Sequence, residues 1–253
     1  MNEIEAIIAD RIEENSKLEI FDINIEGKKL WVKRARKTGS NLLHKLTYRI
    51  TQNPIVIPVE NKSPQEALQF ESSKLKRLYD LSIPVPEVID TNKIYFILED
   101  CGPTVHHLIS NTLVENPEQQ LEEIIIQLAN LHNLNEFHGG SQIKNFTYKN
   151  NKIYFIDFEE SFDRDIDIKE LQFRDLFLFL FSISKLNIDI DYESLIRKYI
   201  SLTKNKNVIE KFHTLISKVS FLIKIVENKV IWNILDRDTK SVYRLLQDFK
   251  KIN

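Results

Sequence analysis

Residues 131–160 read LHNLNEFHGGSQIKNFTYKNNKIYFIDFEE. Ile153–Ile156 is a short apolar run between polar flanks, the mark of a buried strand, and it runs into Asp157-Phe158-Glu159. A second short strand is expected near 146–148. Asn145 stands twelve residues before Asp157 and seven after His138. Two such residues at the ends of a strand pair can turn their oxygens toward one spot. Hard, oxygen-only ligands of this kind suit Mg²⁺, which keeps several waters and takes its other ligands from substrate phosphates. A hairpin with polar caps would use the same residues for structure alone.

Upstream of this segment the chain reads as strands and one long helix. Residues 2–14 have amphipathic helical spacing, and 17–25 (KLEIFDINI) and 29–34 (KLWVKR) alternate apolar and polar residues. Glu26-Gly27 between them predicts a hairpin turn. Residues 37–60 are ambiguous: Leu42, Leu43, Leu46 and Ile50 have helical spacing, while Pro54 and Pro58 demand extended chain. Ser63-Pro64-Gln65-Glu66 starts a helix expected to reach about Leu81. IPVPEVI is then extended, 93–98 (KIYFIL) is a strand, and EDCGPT (99–104) breaks it. Helices are expected around 104–113 and 117–134. Beyond the acidic stretch 157–170 the chain from Leu171 onward reads as helical, with Leu176–Ile183 a buried helix.

These pieces, in this order, resemble the protein-kinase-like superfamily. His138-x-x-x-x-x-x-Asn145 followed by Asp157-Phe158-Glu159 resembles the catalytic loop H-R-D-x-x-x-x-N and the metal-binding D-F-G. The wording HGGSQIKNF…IDFEE is most similar to bacterial kinase-like families related to the lipopolysaccharide (Kdo/heptose) kinases and to the small kinase of the tRNA-modifying KEOPS complex. Leu30-Trp31-Val32-Lys33 resembles the lysine strand, and helix 64–81 the small-lobe helix whose glutamate pairs with it. FILEDCG (96–102) resembles the segment crossing between lobes. Phe173-Arg174-Asp175-Leu176 resembles the helix whose aspartate braces the catalytic loop. The match covers residues 17–185 or so.

The resemblance implies an α+β, bilobal fold with a small antiparallel β lobe, one long helix and a larger mainly α lobe. The expected division is 1–98, a crossing at 99–104, and 105–253. It implies ATP and Mg²⁺ as cofactors. Lys33 would contact the phosphates and Glu71 would hold it, with Glu66 as the rival carboxylate. Asn145 and Asp157 would carry the metal, and Glu99 and Cys101 would meet the nucleotide in the crossing segment. His138 is expected to pack and hydrogen-bond in its loop rather than act as a base.

Two departures from the pattern bear on function. The catalytic aspartate belongs two residues after His138, where Gly140 stands and can accept no proton. With five glycines in all, and only Gly27 ahead of the lysine strand, no glycine-rich phosphate cover exists. Glu159 also replaces the glycine of D-F-G. Acid–base help is worth about 10²–10⁴-fold, whereas phosphoryl transfer depends mostly on positioning and charge. Asp163, Asp165 or an already ionised acceptor would have to substitute.

Three functions from different classes follow. The first is an ATP-dependent phosphotransferase acting on a sugar, lipid or other small molecule. The second is a pseudokinase that binds nucleotide or serves as a scaffold. The third is an RNA partner, for which no aromatic-interleaved motif speaks. Net charge is −2, yet no acidic residue falls between Gly27 and Val59, where eight Lys and Arg lie. That stretch, with the Leu42–Ile50 side, suggests a peripheral membrane contact through 28–50. The single Cys101 leaves no internal disulfide or multi-cysteine zinc site. The N-terminus, with Glu3, Glu5 and Asp10, does not read as a signal peptide. A cytoplasmic protein, peripheral at the inner face of the membrane at most, is the expectation.

Overall fold

A computed structural model of the chain describes residues 3–40, 48–49, 53–186, 188–226, 233, 235 and 237–251. The expected helical side of Leu42, Leu43, Leu46 and Ile50 lies outside these residues. Helix α1 (Glu3–Glu14) leads into strands β1 (Ile20–Ile25) and β2 (Lys28–Arg34). After a 3-10 turn at Pro54–Val56 come helix α2 (Pro64–Asp80), β3 (Val88–Thr91) and β4 (Tyr95–Glu99). The remaining elements are α3 (Val105–Ser110), α4 (Pro117–Asn133), the 3-10 turn Ile143–Asn145, β5 (Phe146–Lys149), β6 (Lys152–Phe155), α5 (Ile168–Ile183), α6 (Tyr192–Thr203), α7 (Asn207–Val226) and α8 (Arg237–Phe249).

The first four strands form one antiparallel sheet in the order β1-β2-β4-β3, and β5 and β6 form a separate two-stranded ribbon. Glu26 and Gly27 both have positive φ, 49° and 77°, which is what a tight two-residue hairpin of matching twist requires. Strand periodicity sorts the residues of β2 between two faces. Val32 goes to the back with Phe21, Ile23, Tyr95 and Ile97, where α1 covers them through Ile8. Trp31 and Lys33 lie opposite Leu98 and Phe96 in register and share the other face. That face joins Leu68, Leu75 and Leu78 of α2 and the main core of the helical part.

Helix α2 begins with a full capping box. Ser63 Oγ accepts from the backbone N–H of Glu66, and Glu66 Oε2 accepts from that of Ser63. The cap uses up the Glu66 carboxylate at the helix start, so Glu71, more than a turn further on, is the acid left to face the sheet. Helix α5 is apolar almost all round and buries Arg174 and Asp175 in its middle. This is an α+β architecture, an antiparallel sheet with one long helix joined to a mainly helical part. Among the described residues no helix is long and apolar enough to cross a membrane.

Candidate active site

Three separated parts of the chain deliver charged side chains to one point. Lys33 Nζ, on β2, lies 2.8 Å from Glu71 Oε1 of α2 and 2.5 Å from Asp157 Oδ1, just after β6. Glu159 Oε2 is 3.7 Å from the same ammonium, and Arg36 holds Glu159 through contacts of 2.5 and 3.0 Å. The oxygens of Glu71, Asp157 and Glu159 lie within 4.8 Å of one another, with Lys33 among them. Burial alone would lower the Lys33 pKa; Glu71, Asp157 and Glu159 outweigh it and hold the ammonium above the ordinary lysine range. Burial pushes Glu71 upward and its pairing with Lys33 offsets only part of that. Burial also opposes the charge of Asp157, but Lys33 keeps its carboxyl below the usual range. Three carboxylates against Lys33 and Arg36 leave one negative charge over.

Asp157 has φ 70°, a left-handed conformation uncommon in a residue other than glycine. The strand ends there, and the turn aims the carboxylate back at Lys33. Phe158 follows into the core, stacked on the His138 ring at 4.4 Å. His138 is fully buried. Its Nε2 donates to the carbonyl of Ile156 at 3.0 Å, and its Nδ1 accepts from Gly140 N–H at 3.2 Å. Burial lowers its pKa to about 4, so it stays neutral.

The loop carrying His138 is tied down from α5. Asp175 accepts from the N–H groups of His138 and Gly139 at 2.6 and 2.8 Å and pairs with His132 Nε2 at 3.3 Å. Ser141 Oγ donates to the Asp175 carbonyl, and Arg174 Nη1 to that of Gly139. Asn145 Nδ2 donates to Gly140 O at 2.7 Å. Gly139 has φ 102°, and a Cβ there would meet Glu160 Cβ at 2.9 Å, so only glycine fits.

A cleft of about 400 Å³ brings Lys33, Glu71, Glu99, Cys101, Asn145 and Asp157 together as lining residues. These are the six residues singled out from the sequence. Burial raises the Cys101 thiol to about 12, which rules it out as a nucleophile and leaves its backbone as the part that could meet a ligand. Four other lining residues were not anticipated as part of the site. Trp31 lines the cleft and donates from Nε1 to Asp100 at 2.9 Å. Glu19 and Ile20 of the β1 edge also line it, in the absence of any glycine loop. Thr147 lines it with a buried Oγ1 that has no hydrogen-bond partner among the described residues. The cue for Trp31 was its two-residue spacing from Lys33; nothing in the sequence marks Thr147.

Asp163 and Asp165, expected as substitutes for the missing aspartate, are exposed and line a different depression with Glu60 and Glu170. The turn after Ser161 carries them away from the cleft. Part of the basic stretch is spent inward. Lys33 and Arg36 belong to the acid cluster, and Arg34 donates to the carbonyls of Ser16 and Leu18.

The residues fit a divalent cation with a polyphosphate. Asn145 and Asp157 offer hard oxygens on one wall, the cluster carries a surplus negative charge, and the Thr147 hydroxyl awaits a partner.

No protein-family model matches the chain. It is similar to an uncharacterized protein of Haemophilus influenzae, 29% identical over 143 residues, which are 55% of this chain and 52% of that protein. The chain thus spans about half the length of the curated relative it matches. Among solved structures it is similar to WaaP in complex with acyl carrier protein, at 12% identity and a TM-score of 0.47, over 82% of this chain and 83% of that one. It is also similar to a divergent Toxoplasma kinase lacking the glycine-rich loop, at 12% identity and a TM-score of 0.44, over 99% and 90% of the two chains. Likenesses of this size decide nothing about activity; the chemistry of the cleft has to.

Proposed function

We propose that this chain binds Mg-ATP and transfers the terminal phosphoryl group to a non-protein acceptor, a sugar, lipid or other small molecule. The observation that carries it is the meeting of Lys33, Glu71, Asn145 and Asp157, from four separate elements, in one cleft. Lys33 would move from Asp157 toward the α- and β-phosphates while Glu71 keeps it pointed inward. Asn145 and Asp157 would hold Mg²⁺, which neutralises phosphate charge when bound. The edge at Glu99–Cys101 would meet the base, with 1–98 and 105–253 as the lobes on either side of the 99–104 crossing. A small acceptor is favoured by the sequence resemblance to the lipopolysaccharide kinases. Preorganised charge of this kind stabilises a transferring phosphoryl group with little covalent help.

A nucleotide-binding protein without turnover is the second reading, favoured by Gly140. Thermal unfolding with and without Mg-ATP, followed by phosphate-release assays, separates the two. At a hundredfold excess over Kd the nucleotide should add about 2.7 kcal/mol of stability. Asp157→Ala should abolish that gain. A parent protein whose melting temperature ignores Mg-ATP ends both nucleotide readings.

A further inference from the structure

From the packing around Gly140 we infer that Glu160 is the general base of this site, standing in from the metal-binding segment for the aspartate that position 140 lacks. The inference rests on the phosphotransferase reading. A Cβ built on Gly140 would lie 3.6 Å from Glu160 Oε1, 3.8 Å from its Cδ and 3.6 Å from Asn145 Nδ2. The carboxylate therefore stands within side-chain reach of position 140, as the amide of Asn145 does. Gly139 makes this approach available: any side chain there would strike Glu160 Cβ. The two glycines after His138 together admit the Glu160 side chain to the catalytic loop.

The groups around it hold it there without occupying it fully. Arg174 Nη1, on α5, lies 3.0 Å from Oε2, and Oε1 is the oxygen that faces position 140. Asp175 on the same helix and Glu159 next in sequence disfavour its charge, while Arg174 favours it; Lys74 of α2 is a further cation within electrostatic range. Burial is the largest influence and raises the carboxyl above the ordinary glutamate range, which makes it a better proton acceptor. Its side chain remains 28% exposed, enough for an acceptor hydroxyl to reach it.

In the step itself, the acceptor oxygen forms a bond to the γ-phosphorus as the bond from that phosphorus to the β-bridging oxygen breaks. ADP departs with that electron pair. The hydroxyl proton passes to Glu160, which returns it to solvent.

The test uses the full chain, Mg-ATP as the nucleotide and water as the acceptor, read as phosphate release. Glu160→Gln should lower kcat by about 10²–10⁴-fold, with the Mg-ATP shift in melting temperature unchanged. The acid limb of the pH profile should vanish with it. Gly140→Asp should restore activity in the Glu160→Ala background, because a Cβ at 140 meets only ordinary van der Waals contacts. Unchanged turnover in Glu160→Gln overturns the inference alone. A lost nucleotide shift in that variant also overturns it, by giving Glu160 a binding or structural role. Phosphate release absent from a parent protein that binds Mg-ATP overturns the phosphotransferase reading and this one together.

Discussion

Two buried acids, Asp157 and Asp175, sit within the same half of the molecule and are satisfied in opposite ways. Asp175 is wholly enclosed, and its oxygens are filled by two backbone N–H groups and a histidine. Asp157 is 30% exposed at its side chain and is held chiefly by Lys33, a side-chain cation from another strand. Backbone donors cannot leave, so Asp175 fixes the His138 loop in one conformation. A lysine can swing toward a better anion, so the Asp157 end can exchange protein charge for ligand charge. The difference separates scaffold from working site: fixed dipoles for the first, exchangeable ion pairs for the second.

The scaffold side should break most severely. Asp175→Ala leaves two buried N–H groups and His132 without their acceptor and should cost about 3–5 kcal/mol in urea unfolding. A loss under 1 kcal/mol would show that the loop does not depend on this carboxylate.

The next largest effect is one of pH. An unfolded chain protonates His138 near its ordinary 6.5, and the folded one only near 4. The folded state is therefore fully favoured above the first value and loses stability as pH falls toward the second. The loss should approach about 3 kcal/mol by linkage. Replacing His138 by Gln, which keeps a donor for Ile156 and does not titrate, should flatten the slope of unfolding free energy between those values. An unflattened slope would assign the acid sensitivity to other groups.

The smallest effect concerns Lys74, on α2 behind the cluster. Its ammonium is buried without a hydrogen-bond partner among the described residues, 3.9 Å over the Phe137 ring and 5.1 Å over that of Phe158. Burial lowers its pKa to about 8. Lys74→Met removes that desolvation penalty and gives up the cation–ring attraction, for a net stabilisation of about 1–2 kcal/mol at neutral pH. The advantage should narrow above pH 8, where the folded parent sheds the charge and gains stability relative to the unfolded chain. A destabilised variant would mean that the aromatic cage holds the cation favourably.

Much of the architecture was legible in local pattern. The period-two runs became β1, β2 and β4, Ser63-Pro64 became the start of α2, and the apolar run after Asp175 became a buried helix. The β3 strand was read only as extended chain, because its four residues are mostly exposed and acquire strand character by pairing with β4. Asn145 and Asp157 could be picked out by residue type and spacing, and Lys33 and Glu71 through the resemblance. Glu159, Arg36 and Glu160 could not, because the groups they meet are distant in the chain and no motif joins them.

The sequence by itself determined which segments are strands and helices, which face of β2 carries Lys33, and that position 140 can supply no carboxylate. Those follow from periodicity, caps and the plain chemistry of glycine, all local. Only the tertiary structure decided that Asp163 and Asp165 turn away and that Glu160 comes to rest beside Gly140. Such placements depend on how β6, α2 and α5 pack against one loop, and packing is set by the whole core at once.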